Sequence, residues 1–199
     1  MIIRPLTVFE RENVRNFYLS LSEDDRRRRF CCTLADETIS KYVDRLNFTR
    51  DTILGAFDER AQVIGLAELV RGPDQSEMAF SVRADRRGQK IGTKLLERLI
   101  LRASICGIRK VFVMFLSDNT PMRKMAVRAG MRVETADGES HAALELQSPN
   151  AQTLARWLVE EGLSQGKYFS TLGAAHLGLL ADRTTCAVRE PAGALTPSA

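Results

Sequence analysis

The chain has 199 residues, 44% hydrophobic and 27% charged, and 29 Lys and Arg against 25 Asp and Glu give a formal net charge of +4. That length and balance suffice to bury one sizeable core, which predicts a single domain with room for a C-terminal extension and excludes a chain too polar to fold. The cations gather in three places (Arg26 to Arg29, Arg83 to Lys90, and Arg123, Lys124, Arg128 and Arg132) with no interleaved aromatics, so a solvated face or one anionic ligand is expected rather than nucleic acid.

No apolar run approaches the roughly 20 residues of a membrane helix. Arg4 and Pro5 interrupt the apolar start, so no signal peptide is read there and the cytoplasm is the expected location. Cys31 and Cys32 are adjacent and cannot readily bridge each other, while Cys106 and Cys186 are isolated. His141 and His176 have no companion ligands, so no metal is expected.

Ile2, Ile3 and Leu6 predict a short first strand. In "LSEDDRRRRF", Ser22 is placed to cap a helix, with Asp25 in the acidic position of a capping box. The helical pattern continues in pieces to Leu46, with Ile39, Val43 and Leu46 on one face. "TILGAF" (52–57), "QVIGLAELV" (62–70) and "SEMAFSV" (76–82), separated by turn residues, predict an antiparallel meander. Along the third strand Glu77, Ala79 and Ser81 share one face and Met78, Phe80 and Val82 the other.

Ile91, Leu95, Leu96, Leu99, Ile100 and Ala103 then recur at helical spacing, with Gly107 as the stop. "VFVMFL" (111–116) is apolar at every position, as a strand covered on both sides would be. Strand, helix and strand make a right-handed crossover. A helix from 121 to 129 closes at Gly130, and "MRVET" and "AALEL" flank the turn Asp137-Gly138 as a final hairpin. The whole predicts an α+β domain over 1–147. The extension, 148–199, is expected to hold one amphipathic helix over 150–163, with Leu154, Trp157, Leu158 and Leu163 on one face, and a disordered tail. That helix is expected to dock on the domain or on a second subunit, which leaves a homodimer open.

The stretch "SVRADRRGQKIGTKLLERLI" (81–100) carries the function. A strand feeding a loop that opens a helix leaves backbone N–H groups without intrahelical partners, and the helix dipole adds positive charge there. This is a phosphate site. Gly88 and Gly92 permit close approach, and Arg83, Arg86, Arg87 and Lys90 supply counter-charge. Neither the Rossmann nor the P-loop glycine spacing is present.

Arg87-Gly88-Gln89-Lys90-Ile91-Gly92 resembles the [QR]-x-x-G-x-[GA] signature of the GNAT superfamily of acetyl-CoA-dependent N-acetyltransferases, with Lys90 in place of the usual first glycine. The element order over 1–147 is similar to that fold, a mostly antiparallel twisted sheet whose parallel fourth and fifth strands splay around the coenzyme. "LSDNTPMRKMAVRAGMRVE" resembles the segment after its fifth strand, and "LSEDDRRRRF" resembles the S-x-x-x-R-x-x-R-F stretch of bacterial protein-lysine acetyltransferases.

The resemblance implies that acetyl-CoA lies against Phe80, Val82 and Arg83, the loop Arg87, Gly88, Gln89, Lys90, Ile91, Gly92 and Thr93, and Asn119. It implies that backbone N–H groups around Phe80 to Val82 polarise the thioester carbonyl, and that Glu77 is the general base, with Glu68 as the alternative. Ala126 stands where many relatives carry a catalytic Tyr. Arg26 to Arg29 are expected to form a solvated, ion-paired face, Trp157 to anchor the C-terminal helix, and Cys106 to lie in the core. The expected acceptor is a protein lysine or N-terminal amine. A small-molecule amine, or a non-catalytic acyl-CoA sensor, are the alternatives.

Overall fold

The computed structural model describes residues 1–160 and 162. Leu163, Tyr168, His176, Cys186 and the expected disordered tail (190–199) lie outside the described residues. One sheet of seven strands runs in the order β1-β2-β3-β4-β5-β7-β6. The strands are β1 (Ile2–Pro5), β2 (Thr52–Phe57), β3 (Val63–Val70), β4 (Ser76–Val82), β5 (Lys110–Leu116), β6 (Arg132–Ala136) and β7 (Glu139–Glu145). Every neighbouring pair is antiparallel except β4 and β5. The helices are α1 (Arg11–Leu19), α2 (Glu23–Phe30), α3 (Asp36–Arg45), α4 (Ile91–Ile105) and α5 (Thr120–Arg128), followed by a helical stretch over 151–160, here α6.

Strand alternation gives the sheet two apolar faces. On one, Leu95, Leu96 and Leu99 of α4 and Met122 and Ala126 of α5 pack against Leu54, Ala67, Met78, Val113 and Phe115. On the other, Val14, Phe17 and Tyr18 of α1 and Ile39 and Val43 of α3 pack against Ile53, Phe57 and Leu66. At Gly65 a Cβ would come within 3.2 Å of both Ile91 and Leu95, so the glycine lets the start of α4 lie directly on the sheet.

The feature that makes a site is the divergence of β4 from β5. They pair only at Ser76 with Val111 and Glu77 with Phe112, although β4 runs to Val82 and β5 to Leu116. Beyond Glu77 the two strands part, and the β4 backbone on that side loses its neighbour.

Several sequence expectations are corrected. The helix α1 was not anticipated, although Val14, Phe17 and Tyr18 carry the helical spacing. β5 is not covered evenly on both faces: Val111, Val113 and Phe115 are core, whereas on the other face only Leu116 is buried, Met114 is 45% exposed and Phe112 stacks on His141 with ring centroids 5.1 Å apart. The strand looks doubly apolar because its outer face borders the opening left by the splay. Ser22 does cap α2, its Oγ accepting from the Asp25 N–H at 3.2 Å, but the Asp25 carboxylate bonds Arg87 instead of closing a capping box. Cys106 is half-buried rather than core.

α6 docks through different chemistry than expected. Glu160 meets Arg98 of α4 at 2.6 Å, and Arg102 lies 5.8 Å over the Trp157 ring. Leu154 and Leu158 are about half exposed, so of the expected apolar face only Trp157 among the described residues is directed at the domain.

Candidate active site

A loop of two tight steps joins β4 to α4. Arg83 donates its backbone N–H to the Ile64 carbonyl, and Arg86 and Arg87 fold back on Arg83 and Ala84 in a single helical turn. Gly88 follows at φ +77°, which glycine adopts freely. Lys90 is also left-handed, at φ 59°, as the residue that opens α4. This explains the signature glycine that Lys90 replaces: the loop needs positive φ there, and a side chain tolerates it at a cost of roughly 1–2 kcal/mol. The Lys90 side chain is exposed.

The first intrahelical bond of α4 runs from the Lys94 N–H to the Lys90 carbonyl, at 3.1 Å. The N–H groups of Ile91, Gly92 and Thr93 precede that ladder, and all three residues line a cavity of about 550 Å3. Arg87, Gly88, Lys90 and Asn119 line it too, as do Phe80 and Val82 of β4. Two expected residues do not. Gln89 is exposed outside the cavity, and Arg83 turns away to pair with Asp85 at 2.9 Å.

Seven cations border this cavity (Arg28, Arg29, Arg86, Arg87, Lys90, Lys124 and Arg128) against one carboxylate, Asp25. Arg87 and Asp25 bond each other, tying α2 to the loop, while Arg86 pairs with Asp58 at 3.2 Å. The Oγ of Ser81, also on the cavity wall, is buried without a hydrogen-bond partner among the described residues. Positive charge, unladdered N–H groups and an orphaned hydroxyl are the features a phosphate-bearing chain with amide groups would satisfy.

A second cavity, about 310 Å3, continues past Phe80, Asn119 and Met122, which line both. Its walls include Glu77, Ala79, Cys31, Phe30, Val113 and Met114. Glu77 is exposed, at the last position where β4 and β5 pair. Burial, with Glu139 and the neighbouring Cys32 adding to it, pushes the Cys31 thiol up, so Cys31 presents a neutral S–H.

Glu68, the alternative base, is committed elsewhere. It is 1% exposed and accepts from Tyr18 Oη at 2.5 Å, from Tyr42 Oη, and from Arg29 Nη2 at 2.8 Å. Burial pushes both phenols well above their usual range, and the Glu68 charge adds to this against the opposing charge of Arg29. Both hydroxyls therefore stay protonated as donors. Burial opposes the Arg29 charge, but the Glu68 carboxylate and the hydrogen bonds accepted by the two phenol oxygens outweigh it and hold the guanidinium protonated. The expectation of a solvated arginine face fails at Arg29, whose side chain is 8% exposed. It fails also at Arg26, which pairs with Asp36 but is largely buried and donates to the Leu19, Leu21 and Leu34 carbonyls, and it holds in outline for Arg27, paired with Asp118, and Arg28, paired with Asp24. The sequence did carry a signal, the Arg29-Phe30 end of the S-x-x-x-R-x-x-R-F stretch.

Among the described residues no group of three or more His, Cys, Asp or Glu could hold a metal ion, and no helix is long and apolar enough to cross a membrane.

A sheet opened between parallel β4 and β5, with a basic loop and helix start at the opening, defines an acyltransferase of one fold class. The chain belongs to the acetyltransferase (GNAT) family, whose profile matches residues 15–131. Among solved structures it is similar to the GNAT domain of S. lividans PAT, at 23% identity over 72% of this chain and 89% of that one, with a TM-score of 0.62. It is similar also to ribosomal-protein-alanine N-acetyltransferase from Brucella melitensis (18% identity, 73% and 100% covered, TM-score 0.58). A GNAT acetyltransferase from Staphylococcus aureus Mu50 shares the fold at 16% identity, with 73% and 98% covered and a TM-score of 0.59.

Proposed function

We propose that this enzyme acetylates a primary amine from acetyl-CoA, with a protein lysine or N-terminal amine as acceptor. One observation carries the reading: the cationic cavity at the start of α4 runs past Phe80 into a second pocket that has Glu77 on its wall. A donor and an acceptor entering from the two ends would meet beside the part of β4 that has no β5 partner.

Each residue then has a task. The N–H groups of Ile91, Gly92 and Thr93, with Arg87 and Lys90, hold the phosphates of the coenzyme, which supplies an acetyl group activated as a thioester. The free backbone N–H groups between Phe80 and Val82 hydrogen-bond the carbonyl oxygen and stabilise the charge that grows on it. Asn119, whose side chain accepts from the Met122 N–H at 3.2 Å, fixes the start of α5 against the cavity. Glu77 takes a proton from the acceptor amine, directly or through one water. Ala126 is fully buried and carries no proton donor, so no side chain at that place returns a proton.

The protein acceptor is supported by the name of the Brucella melitensis neighbour, and by the exposed Glu77 and Met114 at the pocket mouth, which leave room for a chain outside it. Free-thiol release from acetyl-CoA, measured against lysine peptides, lysine-free peptides and small amines, tests the reading. Peptides should be turned over. Preference for small amines would shift the acceptor, and coenzyme binding without turnover of any amine would make the protein a sensor.

A further inference from the structure

Arg29 stands at the wall shared by the two cavities and lines both. Its guanidinium is fixed on one side. Nε reaches the Tyr18 hydroxyl at 3.4 Å, and Nη2 donates to Tyr42 Oη and Glu68 Oε2, each at 2.8 Å. Its carbon lies 4.6 Å from the centre of the Phe30 ring and 5.4 and 5.5 Å from those of Tyr18 and Tyr42. Nη1 makes no hydrogen bond to any described residue, and it is not among the buried nitrogens left without a partner. So three elements, α1, α3 and β3, clamp a charged side chain at the wall that the two cavities share, with Nη1 left over for a ligand.

We infer that Arg29 Nη1 binds an oxygen of the acceptor and that the acceptor group is an α-amine, whose own carbonyl or carboxylate sits on the adjacent carbon. This rests on the transferase reading and narrows it. The pocket pairs one carboxylate, Glu77, with one pre-oriented donor, and an α-aminoacyl group presents the matching pair of an amine and an oxygen. A lysine ε-amine is separated from its nearest oxygen by a run of methylenes and offers Arg29 nothing to bind. The apolar part of the pocket, Phe30, Val113 and Phe115, then receives the side chain of the first residue. Clamping matters because a long arginine loses little further freedom on binding when it is already held. The α-aminoacyl group can come from a peptide N-terminus or from a free amino acid, which share this chemistry.

The test uses the full chain and acetyl-CoA. Alanine amide is compared with 2-aminopropane, the same amine without the carbonyl, at equal concentrations of unprotonated amine, because the two amines differ in pKa. A lysine-free peptide with an open N-terminus is compared with an N-terminally blocked peptide carrying one lysine, and free alanine is a fifth acceptor. Alanine amide should exceed 2-aminopropane in kcat/KM by about 10- to 100-fold, the span expected for a hydrogen bond to a charged group. The open N-terminus should exceed the blocked lysine peptide. In the double variant Arg29→Gln/Glu68→Gln, which removes both buried charges together, the alanine amide advantage should shrink by about tenfold or more while coenzyme Kd stays constant. A peptide preferred over free alanine identifies the N-terminus as the source, and the reverse identifies amino acids. Equal rates for the two small amines, or preference for the lysine peptide, overturns the inference and leaves the transferase reading standing. Absence of turnover with every amine sinks the transferase reading, and this inference with it. If the double variant does not fold, the wild-type comparison of the two small amines decides alone.

Discussion

At the Val82 end of β4 the site is made of backbone: unladdered N–H groups at the start of α4, positive φ at Gly88 and Lys90, and an orphaned Ser81 hydroxyl. At the Glu77 end it is made of side chains that four separate elements deliver, with Arg29 from α2, Tyr18 from α1, Tyr42 from α3 and Glu68 from β3. The first end suits a ligand that never changes, since backbone dipoles cannot be altered by substitution. The second can be retuned residue by residue. On the proposed function, the contrast divides recognition of the common coenzyme from discrimination among acceptors along one strand.

Breaking the side-chain end should have the largest effect on stability. Glu68→Ala leaves the Arg29 charge buried and unpaired and two phenols without an acceptor. It should cost about 3–5 kcal/mol, a fall in Tm on the order of 6–20 °C by thermal unfolding. A paired replacement, Arg29→Met with Glu68→Leu, should recover the part due to the unpaired charge and leave the cost of two phenols without an acceptor. If the single variant melts within a degree or two of the parent, the cluster is not the clamp described here.

The backbone end should answer to ligand instead. Gly92→Glu adds a carboxylate among the cavity cations, and its Cβ meets the flexible Met125 side chain at 3.4 Å and Val82 at an ordinary 3.8 Å. The fold should survive, but the melting shift produced by CoA, about 2.7 kcal/mol of stabilisation at a hundredfold excess over Kd, should vanish. A retained shift would remove the phosphates from this loop. The smallest effect is expected at Lys90. Replacing it with Gly relieves the left-handed side chain but adds backbone freedom to the unfolded chain, so a net gain of roughly 0.5–1 kcal/mol is expected, about 1–4 °C in Tm. CoA affinity should fall slightly with the lost ammonium. A destabilised variant would mean that the Lys90 side chain contributes more than its charge.

The same contrast explains what could be read from the sequence. The phosphate end is local: strand, Arg/Gly loop and helix lie within residues 76–105, so spacing alone marks them. The hairpin at Asp137-Gly138 was legible for the same reason, since both residues adopt positive φ in the turn. The side-chain contacts of α2, by contrast, join distant residues. Arg29 and Glu68 are 39 apart in the chain, Asp25 and Arg87 are 62 apart, and Arg27 and Asp118 are 91 apart. Four consecutive arginines look alike in sequence, and only the packing of α1, α2 and α3 on β3 separates Arg29 and the largely buried Arg26 from the more exposed Arg27 and Arg28. The outer face of β5 misled for a related reason: Phe112 and Met114 are apolar, but Phe112 stacks on His141 and the splay from β4 leaves Met114 on a pocket wall.

The central claim is that the two ends of β4 have separate jobs, with proton transfer at Glu77 and coenzyme binding at the start of α4. Glu77→Gln, with turnover and CoA Kd measured on the same preparation, tests it most directly. Turnover at neutral pH should fall by roughly 10²–10⁴-fold, CoA Kd should stay within about twofold, and higher pH should restore part of the rate by supplying unprotonated amine. Near-normal turnover, or a loss of coenzyme binding as large as the loss of rate, would contradict it.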